Sequence, residues 1–199
     1  MTADRRGAIL WVLCLQYFAA EAVVAQGYRG PYALATNYIS DLGATTCAAV
    51  CSPLHPLMNA SFLLQGVLIA SGALLVRNLF PRGPLATAAL ACIAASALGV
   101  ILVGIFPEDS GSSLHYNGAA ENFLLSNLGM VLAGLALRPV APARALYSLA
   151  SGLIGLAGLM FLAMKADLGL GIGTVERITA YPFPLWLGVT GLWLLRRTG

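Results

Sequence analysis

Six almost uninterrupted apolar stretches divide the chain, and the short segments between them carry most of its charge. Each stretch is close to the ~20 residues that a helix needs to cross the hydrocarbon core of a bilayer. The pattern therefore predicts six transmembrane helices, over residues 7–26, 57–76, 85–106, 118–137, 145–164 and 178–195. The connections are too short for a separate soluble domain, so we expect an all-α membrane protein with one helical bundle over residues 1–199.

The charged residues are distributed unevenly between the two ends of the predicted helices. Seven of the eight acidic residues map to one end. Eight of the eleven Lys and Arg residues map to the other end, namely Arg5, Arg6, Arg77, Arg82, Arg138, Arg144, Arg196 and Arg197. By the positive-inside rule the arginine-rich end is cytoplasmic, which places both termini in the cytoplasm. We expect the chemistry of the protein on the acidic, outer side.

Composition supports a membrane protein independently of the charge pattern. The chain is 59% hydrophobic and 10% charged, and its mean hydropathy is +0.82. A soluble protein of this composition would lack the polar surface to cover itself. The net charge of +3 comes mainly from the cytoplasmic arginines, so it reports orientation and attraction to anionic lipids. Nucleic acid is not an expected partner.

The longest connection, residues 27–56, is predicted to form an outer cap. Its middle part, residues 31–43, begins with Pro31 and ends with Gly43, which is typical of a short helix. We expect this helix to lie at the outer interface or to fold back over the mouth of the bundle. Cys47 and Cys51 follow it on the side where disulfides persist, so we expect them to be oxidised, although a continuous helix would hold the two sulfurs poorly.

Polar side chains at the outer ends of the helices form the candidate site. Such groups are costly in lipid, so they should point into the bundle and line one cavity. As catalytic candidates we take Asp41, His115, Glu121 and Glu21, and as binding candidates Asn37, Ser40, His55, Asn59, Glu108, Asp109, Asn122, Arg177 and Tyr181. We expect Asp41 and His115 to approach one another at the outer mouth of the cavity.

The same residues allow several chemistries. Ser40, His115 and Asp41 could form a nucleophilic triad if the cap folds over the fourth helix, although no Gly-x-Ser-x-Gly elbow is present. His55, His115 and Asp41, with Glu108 or Asp109 nearby, could bind zinc or iron. A carboxylic acid in an apolar cavity could instead donate a proton to an isoprenoid chain.

Simpler interpretations stand beside these. Glu176 and Asp167 are also expected in solvated loops, Tyr181 at the interface, and Asn59 and Asn122 between helices. The charged residues could also form a hydrogen-bonded network that joins the cap to the bundle, with Arg177 as its cation.

Four short segments, residues 37–43, 55–59, 106–109 and 115–119, carry a resemblance to a known family. On these segments the chain resembles the bacterial membrane proteins grouped as domain of unknown function 998, over essentially its whole length. Residues 39–43 and 114–119 are more distantly similar to the eukaryotic Frag/DRAM/Sfk membrane proteins. The shared motif residues are Ser40, Asp41, Gly43, His115, Gly118 and Ala119.

The first resemblance implies a multi-pass protein of the bacterial cytoplasmic membrane. The Frag/DRAM/Sfk proteins have six spans and are tied to lipid-anchor remodelling, autophagy and plasma-membrane lipid organisation, so the second resemblance implies a connection to lipids. It does not imply a reaction. The function that we expect is the binding, with or without modification, of a lipid or a lipid-linked isoprenoid molecule in the outer pocket. Two further functions stay open, namely a metal-dependent or acid–base membrane enzyme and a proton-coupled transporter or channel.

Overall fold

The computed structural model describes residues 2–46 and 51–198, and helices dominate both parts. The α-helices are α1 (Ala3–Leu13), α2 (Gln16–Gln26), α3 (His55–Val76), α4 (Pro84–Ile105), α5 (Ser113–Leu137), α6 (Pro142–Ala163), α7 (Ile172–Ala180) and α8 (Pro182–Thr198). By length and composition they make six candidate membrane spans: Ala3–Gln26, His55–Leu79, Pro84–Ile105, Ser113–Leu137, Pro142–Ala163 and Ile172–Arg197. The prediction of a six-helix membrane bundle is confirmed.

The first and last spans are each broken into two helices. At Cys14 and Leu15 the backbone hydrogen bonds span three residues instead of four; the Cys14 amide, for example, donates to the Trp11 carbonyl at 3.2 Å. The helix α1 therefore passes into α2 through a short 3-10 turn. In the last span, α7 ends at Ala180 and Pro182 begins α8. Proline has no amide hydrogen, so a helix continuing through that position would lose a backbone hydrogen bond.

The last span begins earlier than the sequence pattern predicts. Its first helix starts at Ile172, directly after Gly171, whose φ of +86° favours glycine. Glu176 therefore lies inside a helix and is only 7% exposed. The expectation that Glu176 is a solvated loop charge is wrong, because the helix starts before it and turns it into the bundle.

Small residues set how closely the helices approach. A Cβ atom on Gly99 of α4 would overlap the carbonyl oxygen of Gly118 on α5, and one on Gly118 would lie 2.7 Å from the carbonyl oxygen of Gly99. On α6, a Cβ atom at Gly155 would overlap the Asn127 side chain of α5. Such contacts let the helix backbones pack closely in lipid, where no hydrophobic driving force brings helices together.

The cap segment (residues 31–43) is not the short helix that the sequence predicts. Only Ser40–Gly43 is helical, as one 3-10 turn. The side chain of Asn37 accepts a hydrogen bond from the Ala33 amide, and the carboxylate of Asp41 accepts one from the Tyr38 amide. These local side-chain bonds replace the helical backbone bonds.

The cap segment lies over one end of the bundle, which we call the cap end. Ile39 and Leu42 are buried, and the Asn59 side chain at the start of α3 donates to the Gly43 carbonyl at 2.9 Å. Beyond the cap segment, the Arg29 amide donates to the Cys51 carbonyl at 2.7 Å. Cys47 lies outside the described residues, so the Cys47–Cys51 disulfide stays a prediction.

The opposite end of the bundle gathers the first and last parts of the chain. Gly191 of α8 packs against Ala8 and Val12 of α1, and Gly7 packs against Val76 of α3. We call this the arginine end, since it carries Arg5, Arg6, Arg77, Arg82, Arg138, Arg144, Arg196 and Arg197. The separation of charge inferred from the sequence thus corresponds to two ends of one bundle.

Candidate functional site

A cavity of about 70 Å³ lies inside the bundle beneath the cap segment. Such a volume has room for a few water molecules or for part of a hydrocarbon chain. Its walls are mostly apolar and come from Ile39, Phe62, Ile69, Val100, Val103, Ala119, Phe123, Ala180, Phe183 and Pro184. Its polar lining consists of Tyr17, Ser40, Gln65, His115, Asn122 and Glu176. An amphipathic ligand is the chemical match for this mixture.

His115 stands in the first turn of α5, where the side chain of Ser112 caps the helix. The ring is 4% exposed, and its Nδ1 atom lies 2.7 Å from the carbonyl oxygen of Phe106 at the end of α4. A carbonyl can only accept, so Nδ1 carries the proton. His115 is also one of the polar residues that line the cavity.

Glu176 brings a carboxyl group to the cavity from α7. Its Oε2 accepts a hydrogen bond of 2.5 Å from the amide of Ile39 in the cap segment. Glu176 and Ala180 are four residues apart on α7 and both line the cavity. Sequence reasoning placed Glu176 beside Arg177 and Tyr181 but did not take it as a catalytic or binding candidate. Extending the predicted last helix back to the glycines at residues 169–173 would have placed Glu176 on the same helical face as Ala180.

Two further polar groups of the lining come from inside apolar spans. The side-chain amide of Asn122 donates to the Ser96 carbonyl at 2.8 Å, joining α5 to α4. The side-chain oxygen of Gln65 accepts a hydrogen bond from the side-chain amide of Gln16 at 3.1 Å. Sequence reasoning missed Gln65 and Tyr17, although a glutamine within an apolar span is itself the signal of a group turned inward.

Arg177 is the centre of a buried network beside the cavity. Its guanidinium forms an ion pair of 2.9 Å with Oε1 of Glu21, and both side chains are almost fully buried. The Tyr181 hydroxyl donates to the same Glu21 oxygen at 2.8 Å. The guanidinium also donates to the Leu34 and Asn37 carbonyls at 2.7 Å and 2.9 Å. These contacts join the cap segment to the first and last spans.

Asp41 and Glu108 form a pair of neighbouring carboxyl groups at the cap end. Asp41 accepts hydrogen bonds from the Asn37 side chain at 3.1 Å and from the Tyr38 amide at 3.0 Å. Burial raises the pKa of Glu108; a hydrogen bond with Ser40 acts against this, and the adjacent Asp41 raises the pKa further. Protonated Glu108 can share its proton with Asp41.

Asp109 has a different role, because it anchors the chain that follows the cap segment. Its carboxylate accepts from the Thr45 amide at 2.9 Å and from the Thr46 amide. Slight burial acts to raise the pKa of Asp109, but the hydrogen bonds from Thr46 and Thr45 outweigh it and lower the pKa to about 2. Asp109 is therefore ionised at every physiological pH.

Of the sequence candidates, Ser40, His115 and Asn122 line the cavity, while Glu21, Arg177 and Tyr181 form the network beside it. Asn37, Asp41, Glu108 and Asp109 belong to the cap end. His55, Asn59 and Glu121 lie outside the cavity lining. The Nδ1 atom of His55 is buried without a partner among the described groups.

Asp41 and His115 have different hydrogen-bond partners. No hydrogen bond joins Asp41 to His115 within residues 2–46 and 51–198, because each of them is held by other partners. Among the described residues there is also no group of three or more His, Cys, Asp or Glu side chains that could hold a metal ion. His55, His115 and Asp41, which the sequence allowed as metal ligands, do not form such a group there.

A family model described as a protein of unknown function, DUF998, matches residues 7–193. The chain belongs to this family. No curated protein and no solved structure matches it.

In this DUF998 protein the four segments that carry the resemblance meet around the cap end of the cavity. Ser40, His115 and Ala119 line it. Asn59 is hydrogen-bonded to Gly43, as His115 is to Phe106. The segments are far apart in sequence, so their convergence marks the cap end of the cavity as the candidate functional site.

Proposed function

We propose that this DUF998 protein binds a lipid or lipid-linked molecule, such as an isoprenoid, in the cavity beneath its cap segment. The observation that carries the proposal is the lining of the cavity: a mainly apolar wall with His115, Ser40 and Glu176 among its polar groups. An apolar chain suits the walls, and a hydroxyl or phosphate-linked end suits the polar groups.

The dimensions favour one end of a lipid over a whole lipid. From His115 to Phe123, α5 rises by roughly 12 Å, at ~1.5 Å per residue, and both residues line the cavity. A volume of about 70 Å³ over such a depth suits a single narrow chain. We infer that the remainder of the ligand lies outside the cavity.

A transport path receives less support from the same lining. None of the residues that line the cavity belongs to the arginine end. A transporter needs a polar route to the other side of the membrane, and the cavity walls are mostly apolar. The binding of a ligand that enters and leaves from one side is therefore the better account.

Acid–base modification of the bound molecule is a second candidate, which rests on one specific observation. His115 and Glu176 both line the cavity, and imidazole and carboxyl groups are the commonest proton-transfer groups in enzymes. In that case His115→Gln and Glu176→Gln would retain the bound lipid but abolish its conversion, as followed by mass spectrometry of the extracted lipids.

The binding proposal is tested by filling the cavity. Ala119 lines it, whereas the adjacent Ala120 is exposed on the same helix. We expect Ala119→Phe to reduce the lipid that is retained by protein purified from native membranes by about tenfold, which corresponds to roughly 1.4 kcal/mol. Native mass spectrometry of the intact protein measures the occupancy.

Ala120→Phe is the matched control, because it adds the same ring to the exposed face of α5, away from the cavity. It should retain the lipid at the level of the unaltered protein. Equal retention by both variants would contradict binding in the cavity, provided that both give the same thermal stability and a single species in detergent.

A further inference from the structure

A second groove opens at the arginine end, on the side of the molecule opposite the cap segment. It lies between the connection after α3, the start of α6 and the end of α8, and its volume is about 590 Å³. Asn78, Phe80, Val140, Arg144 and Arg197 are among the residues that line it. The groove shares no residue with the cavity beneath the cap segment.

The groove carries positive charge that no described acidic residue neutralises. The one ion pair among residues 2–46 and 51–198 joins Arg177 to Glu21, so Arg144 and Arg197 have no acidic partner within that part of the chain. No acidic residue of the described chain lines the groove. Arg144 is positioned by Trp193, whose ring centroid lies 5.4 Å from the guanidinium carbon. Two guanidinium groups in one groove favour an anion with several oxygen atoms.

The beginning of α6 adds backbone donors to the same groove. Ala141, Pro142, Ala143 and Arg144 line it, and no side chain caps the helix. The first intrahelical bond runs from the Ala145 amide to the Ala141 carbonyl at 2.9 Å, which leaves the amides of Ala143 and Arg144 unpaired. Unpaired amides and the positive end of the helix dipole favour phosphate.

A buried hydroxyl without a described partner lies in a small space that adjoins the groove and shares Arg144 and Arg197 with it. Thr190 of α8 lines a narrow space of about 20 Å³ whose walls also include Arg144 and Arg197. It is 5% exposed, and its Oγ1 atom has no hydrogen-bond partner among the described groups. A buried hydroxyl is rarely left without a partner, so the space is suited to a polar atom.

We propose that this groove binds the phosphate headgroup of an anionic membrane lipid. The phosphate oxygens accept hydrogen bonds from Arg144, Arg197 and the free amides of α6, and a chain of the lipid lies against Val140, which is 65% exposed. A neighbouring groove with Arg77 and Arg82 shares Asn78 and Phe80 with the first and extends the positive surface. The site is independent of the cavity beneath the cap segment.

Titration of the purified protein in neutral detergent tests the proposal. The probes are dioctanoyl phosphatidylglycerol, dioctanoyl phosphatidylcholine and inorganic phosphate, and calorimetry measures the Kd. We expect phosphatidylglycerol to bind more tightly than the other two. Arg144→Gln and Arg197→Gln should each raise its Kd by about tenfold, since each removes charge-assisted hydrogen bonds.

Arg196→Gln is the matched control, because Arg196 is the exposed neighbour of Arg197 and does not line the groove. Its Kd should stay within about twofold of the original value, as expected for a surface charge screened by salt. An equal loss in all three variants would mean general charge attraction and would overturn the proposal. Equally tight binding of inorganic phosphate would assign the groove to the free ion, and the absence of phosphatidylglycerol binding would also overturn the proposal.

Discussion

Arg177 shows how a single charged residue can be accommodated within a membrane span. Its guanidinium donates to Glu21, to the Tyr181 and Tyr32 hydroxyls, and to backbone carbonyls of the cap segment and α7. The Glu21 carboxylate is buried together with the guanidinium, and an unpaired charge there would be costly. The residue therefore stabilises the position of the cap segment.

Replacement of Arg177 should loosen the cap segment and destabilise the bundle. Arg177→Leu leaves the Glu21 carboxylate buried without its cation, and breaking such a pair costs about 3 kcal/mol or more. We expect a clear fall in thermal stability and faster amide exchange at residues 33–39. Arg138→Leu is the control, since Arg138 is exposed at the arginine end and should change neither quantity. Unchanged exchange in Arg177→Leu would contradict the role of this residue.

The pair of Glu108 and Asp41 should make the cap segment sensitive to pH. The folded pKa of Glu108 is raised above the ordinary glutamate value of ~4.3, so the folded protein holds the proton more tightly than the unfolded chain. The stabilisation is therefore complete at acidic pH and is lost as pH rises through the raised pKa. We expect amide exchange of residues 38–43, corrected for its intrinsic rate, to accelerate over that range.

Glu108→Gln should abolish this pH dependence, because the amide cannot ionise beside Asp41. Asp167→Asn, in an exposed turn where Asp167 bonds only the nearby Gly169 amide, should leave it unchanged. The same pH dependence in Glu108→Gln and in the original protein would assign the effect to another group.

At the scale of the helices, close contact between small residues holds α4 and α5 together. The reciprocal approach of Gly99 and Gly118 brings the two backbones into contact at the depth where His115, Ala119 and Asn122 begin to line the cavity. The separation of these two helices thus helps to set the width of the cavity.

A larger side chain at Gly99 should separate the two helices. Gly99→Leu would collide with the backbone of α5, and overpacking of this kind costs about 1–3 kcal/mol. We expect a lower thermal stability in detergent. Ala120→Leu adds similar bulk to the exposed face of α5 and should have little effect. Equal stability of the two variants would mean that α4 and α5 do not meet at Gly99.

The sequence predicted the number and type of the elements because long apolar stretches leave little alternative to membrane helices. It did not predict the break at Cys14, where neither Pro nor Gly interrupts the pattern. Local polar bonds from Asn37 and Asp41 replaced the expected cap helix. Periodicity does not report such bonds, because they depend on which side chain reaches which amide.

The candidate site was only partly predictable for a similar reason. Ser40, His115 and Asn122 line the cavity, and polar groups in spans turn away from lipid. Glu176 was noted beside Arg177 but was not taken as a site residue, because the predicted start of the last helix lay after it. Arg177 and Glu21 were recognised as costly residues, but only the folded structure shows that they are partners.

At the scale of the whole molecule, the separation of charge should fix its orientation in the membrane. We expect the cap end outside and the arginine end in the cytoplasm. In a protein without its native cysteines, Ser110→Cys should react with an impermeant thiol reagent in intact cells. Arg6→Cys should react only after permeabilisation. The reverse pattern would invert the orientation, and reaction of both in intact cells would contradict two separate ends.

An experimental structure in nanodiscs formed from native membranes tests the central claim most directly, because the claim concerns what occupies the cavity beneath the cap segment. We predict elongated density that runs between Phe62 and Phe183 and ends beside His115 and Glu176, all of which line the cavity. A cavity that holds only isolated water peaks, or a continuous file of water that reaches the arginine end, would contradict lipid binding.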